Sequence, residues 1–137
     1  MKSYTDLKQS KELAEILPIK SADMEWNVFV DDSTRCLPIN DWDLCKDSCY
    51  GVKFYPAWSL AALLSVLPNK IVSHETAFEE EDAEAINDTY YKHIELTEDG
   101  RYMCCYVGNG YKYKCVADIP IDACYEMILK LNELNLL

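Results

Sequence analysis

The chain has 137 residues, the length of one domain, and its 50% apolar and 27% charged content is that of a globular protein rather than a disordered one. Thirteen basic residues against 24 acidic ones give a net charge of −11, which argues against nucleic acid or an anionic membrane as partner, since both are held through Lys and Arg. No apolar run reaches the ~18 residues of a membrane-spanning helix, and Asp6 and Glu12 fall where a secretory leader is apolar, so the expected setting is cytoplasmic.

Leu7, Leu13, Ala14 and Leu17 recur at helical spacing, which predicts a helix over about residues 5–17 with Thr5 or Asp6 as its cap and Pro18 as its stop. Met24 to Val30 alternates and reads as a strand ended by Asp31-Asp32-Ser33. Cys36 to Ser48 has little periodicity and reads as loop with a short edge strand near Trp42 and Leu44. Gly51 to Tyr55 reads as a strand leading into Pro56, taken as the first residue of a very apolar helix over about 56–67, because a first helical position needs no N–H. Ile71 to Glu75 reads as a strand, and the acidic run Glu79 to Glu84 as a solvated loop or turn.

The region 89–117 is the most legible. Three strand-like runs are separated by Glu98-Asp99-Gly100 and Gly108-Asn109-Gly110, both strong turn chemistry, and form a β-meander. Asp118-Ile119-Pro120 is a helix start signal, and Ile121, Cys124, Ile128, Leu131 and Leu134 predict a closing helix over about 119–135. The fold class expected is α+β: a single domain, residues 1–137, with an antiparallel sheet of four to six strands sandwiched by three helices.

Seven cysteines without a leader read as reduced thiols. Cys104, Cys105, Cys115 and Cys124 fit apolar patterns; Cys36, Cys45 and Cys49 lie in a polar stretch, but their spacing lacks the C-x-x-C pair of a zinc site, so neither metal nor cofactor is expected. Glycine-rich phosphate loops and the nucleophile elbow do not occur. His74 and His93 are the only imidazoles, and a Cys/His hydrolase would need one of them beside a cysteine, for example His93 beside Cys105 across neighbouring strands. The carboxylates cluster in solvated runs, and the expectation is a protein without enzymatic activity.

One pattern stands out from the acidic background. With three-residue turns on both sides of the middle strand, Lys92, Tyr106 and Lys112 form one row across the sheet, with Lys114 next on the same face and Arg101 nearby. Two lysines beside an aromatic ring suit a small anion that carries a flat base, such as a nucleotide; lysines on exposed strands also simply discourage edge pairing. A two-residue turn at Asn109-Gly110 would dissolve the row.

The stretches FYPAWSLAALLSVLP (Phe54 to Pro68), DIPIDACYEMILKLNELNLL (Asp118 to Leu137) and QSKELAEILPIKSADMEW (Gln9 to Trp26) resemble recurring segments of small phage and prophage proteins of gut bacteria. The step from Tyr111 through Pro120 to Leu131 is similar to the closing unit of the phage ABA-sandwich domain, in which a sheet lies between helices. The matching positions Pro56, Trp58, Leu60, Leu63, Pro120, Ala123, Met127 and Leu131 are core positions, so the resemblance implies a phage origin and the cytosol of an infected cell, and carries over no catalytic residue. The leading expectation is an accessory protein that binds a host protein through its acidic surface. The alternatives are an anti-defence sponge for a nucleotide signal and, last, the Cys/His hydrolase.

Overall fold

A computed structural model describes residues 1–39, 51–75 and 86–137. Among these residues the chain is α+β, with three α-helices and two antiparallel sheets. The strands divide between two sheets rather than joining one. They belong to two compact units, residues 1–66 and 67–137.

The first unit opens with helix α1 (Leu7–Ala14). Asp6 alone is its cap: its carboxylate accepts from Gln9 N–H at 2.8 Å, and the Gln9 side chain accepts from Asp6 N–H at 3.1 Å. This reciprocal box fixes the helix start later than the apolar spacing suggests. Thr5 is instead fully buried, with its hydroxyl 2.7 Å from that of Ser10 and 3.1 Å from the Trp58 N–H it accepts.

The first sheet has the order β2-β1-β3, with β1 (Met24–Val28) between β2 (Thr34–Pro38) and β3 (Lys53–Ala57). β1 stops short of Val30 because Phe29 and Ser33 close a turn in which Asp32 takes a positive φ of 65°. The stretch expected as loop from Cys36 therefore begins inside β2; Trp42 and Leu44 lie outside the described residues. Pro56 belongs to β3, opposite Glu25, and does not begin a helix. An edge strand tolerates a proline because one side of it needs no donor. The helix that follows, α2, is shorter than expected (Leu60–Val66). Its start is set by Ser59, whose hydroxyl accepts from Ala62 N–H at 3.2 Å and is itself held by Asp23.

The second unit carries the sheet β4-β5-β6-β7, with β4 Lys70–Glu75, β5 Ile86–Leu96, β6 Tyr102–Gly108 and β7 Gly110–Ala117. The meander is as expected, extended by β4 on the outer side of β5. Gly108 is required at its turn: an added Cβ would lie 2.4 Å from the Thr89 carbonyl oxygen. Helix α3 (Pro120–Glu133) packs on β6 and β7 and buries Ile121, Ala123, Cys124, Met127, Ile128 and Leu131. Ile119, not Asp118, occupies its cap position, with Pro120 at the first turn where no donor is missed.

Candidate functional site

The expected row exists. Lys92 pairs with Tyr106 and Tyr106 with Lys112, so the three residues stand side by side across β5, β6 and β7. Side chains alternate between faces along a strand, and this row lies on the face that α3 covers, where the Cys104 thiol hydrogen-bonds that of Cys124 on α3.

Placement on the covered face changes what the row offers. Tyr106 is fully buried and its hydroxyl donates to the Pro68 carbonyl at 2.7 Å. Burial, with Cys104 and Cys124 as neighbours, pushes the phenol well above its ordinary range. The Lys92 ammonium donates to the Leu67 carbonyl at 3.3 Å and the Asn69 side-chain oxygen at 3.1 Å. The centre of the row is thus a tie between the sheet and residues 67–69.

Lys114 does not continue the row. The register slips between Cys105 and Tyr106, so Tyr106 faces Lys112 while Cys105 faces Lys114, leaving Tyr113 as the extra residue of a β-bulge. Tyr113 has a φ of 52°, a left-handed conformation that costs a non-glycine residue about 1–2 kcal/mol. The bulge sends Lys114 to the opposite face and brings a different group together on the helix side. The Lys112 ammonium lies 5.2 Å from the centre of the Tyr90 ring and 5.6 Å from that of Tyr113, and the Lys130 ammonium of α3 lies 5.9 Å from the same Tyr113 ring. Tyr90, Tyr113 and Lys130 were not singled out by sequence pattern, because a one-residue bulge leaves no mark in the alternation. Arg101 sits in the β5–β6 turn, its guanidinium 2.8 Å from Asp99.

The other face of the sheet mixes buried and exposed side chains: Met103 and Cys105 are buried on it. Tyr91, Val107 and Tyr111 form a cross-strand row there, with Tyr91 59% and Tyr111 52% exposed. The Tyr111 hydroxyl reaches from β7 over β6 to donate to Glu95 on β5 at 3.2 Å, and the Lys114 ammonium lies 5.6 Å from its ring. That hydrogen bond, with the nearby carboxylate charge, raises the phenol's pKa. His93 Nε2 is 3.2 Å from the same carboxylate.

His93 does pair with Cys105. The thiol is fully buried between its neighbours, and desolvation, helped by Glu95, pushes it up to about 11, the reverse of what a nucleophile needs. Cys115 and Cys36 are likewise pushed up to about 11 by burial. Cys45 and Cys49 lie outside the described residues, as does the acidic run 79–84. Among the described residues no group of three His, Cys, Asp or Glu side chains is placed to hold a metal ion, and no helix is long and apolar enough to cross a membrane. No family model, curated protein or solved structure matches the chain.

Proposed function

We propose that the chain is a non-enzymatic accessory protein of a phage or prophage that binds a basic host protein in the host cytosol, with the exposed tyrosine row of the second sheet as its contact surface. The observation that carries this reading is the row of Tyr91, Val107 and Tyr111, two half-exposed tyrosines on either side of an apolar residue. Tyrosine is enriched at protein interfaces because it brings large apolar area with a polar tip and few rotamers to freeze. Tyr111 is also held in place by Glu95, so less ordering is required on binding. A net charge of −11 favours a basic partner and steers its approach. The resemblance of the helical segments to small phage and prophage proteins supports the setting. The protonated Cys105 thiol supports a role without covalent chemistry.

The test is affinity capture from bacterial host lysate with the wild type and a Tyr91→Ala/Tyr111→Ala variant, each at low and high salt. The expected result is a basic protein retained by the wild type, lost at high salt as the charges are screened. The double variant should retain it at least about tenfold less well, as for truncation of interface anchors. Equal capture by both proteins would overturn the assignment of the surface. Retention that does not respond to salt would overturn the basic partner.

A further inference from the structure

We propose that Lys112, Tyr113 and Lys130 form a binding site for the phosphate group of a small phosphomonoester. Three observations converge on it. The β-bulge turns Lys112 and Tyr113 to the same side of β7, where ordinary alternation would separate them. Helix α3 delivers Lys130 to the same ring, so two ammonium groups stand 5.6 and 5.9 Å from the centre of Tyr113. Tyr113 holds this position in a left-handed conformation, φ 52°, that its side chain disfavours.

A phosphomonoester is the ligand class that this set fits. It carries close to two negative charges near neutral pH and three acceptor oxygens. The two ammonium groups are donors for its oxygens, and the Tyr113 hydroxyl is a further one. Lysine stems are flexible, so ammonium groups gathered around one ring can converge on one phosphate. The chain's net charge of −11 does not prevent this, because charges beyond the Debye length of about 8 Å are screened in physiological salt. The Tyr90 ring, 5.2 Å from Lys112, adds a nearly buried wall. The site differs from the row read in the sequence: only Lys112 is common to both.

Calorimetric titration of the full chain with inorganic phosphate, adenosine 5′-monophosphate and adenosine tests the proposal. The two phosphate-bearing probes should bind and adenosine should not. Lys112→Gln and Lys130→Gln should each weaken adenosine monophosphate at least about tenfold, the usual loss for one charged hydrogen bond. Lys20→Gln, an exposed lysine of the first unit, should leave it unchanged. Thermal melts of each variant establish that it is folded. Adenosine binding as well as its monophosphate, no binding of either phosphate-bearing probe by the wild type, or full binding retained by the folded lysine variants would each overturn the site.

Discussion

Tyr106 shows how far a single side chain can be read from its neighbours in sequence. Its cross-strand partners Lys92 and Lys112 follow from turn chemistry, and the register agrees. Its availability does not follow, because burial depends on α3 and residues 67–69, which turn chemistry does not encode. Tyr106→Phe should therefore act on stability: it leaves the Pro68 carbonyl without its donor and should cost about 1–2 kcal/mol in denaturant unfolding at unchanged m-value. Asp6 makes a second prediction. Partial burial alone would raise its pKa, but the Gln9 N–H and Lys2 outweigh it and hold the carboxyl below its ordinary range. A depressed native pKa means that the stabilisation is complete above the unfolded value and is lost as pH falls through the native one. Asp6→Asn, which keeps a capping oxygen, should flatten the loss of stability below about pH 4, whereas Asp6→Ala should cost about 1 kcal/mol at neutral pH. Denaturation midpoints measured from pH 6 to pH 3 distinguish the two.

Among the three described helices, α3 buries the most side chains. Of the five residues whose spacing predicted it, Ile121, Cys124, Ile128 and Leu131 are buried, whereas Leu134 lies past the last turn as the C-cap and is 46% exposed; Ala123 and Met127 are buried as well. Leu131→Ala should cost about 2–5 kcal/mol, read from the denaturation midpoint, and a loss under about 1 kcal/mol would mean that the helix is peripheral. Helix α2 was read correctly in kind and wrongly at its start. Pro56 suits both a first helical turn and an edge strand, and only its pairing with Glu25 decides between them. The bulge at Tyr113 was invisible for a related reason: strand alternation is a local signal, and an extra residue is defined by the strand opposite. The thiols of β6 and α3 follow the same logic. Cys104, Cys105 and Cys124 are fully buried, so iodoacetamide at neutral pH should label them slowly in the native protein and rapidly in denaturant, as peptide mass mapping would show.

For the whole molecule, charge is the property that composition alone settles. With a pI of about 4.5, solubility should pass through a minimum near that pH and recover above it, which turbidity against pH would show. Composition and periodicity also determined the α+β class, the meander and the closing helix, because turns, caps and apolar spacing are local physics written residue by residue. Tertiary structure decided the rest: that the strands make two sheets, that the lysine–tyrosine row faces α3, and that a bulge exchanges Lys114 for Tyr113 and Lys130 beside Lys112. Each of these depends on which distant segment lies opposite, and a sheet face acquires its inside and outside only when something packs against it.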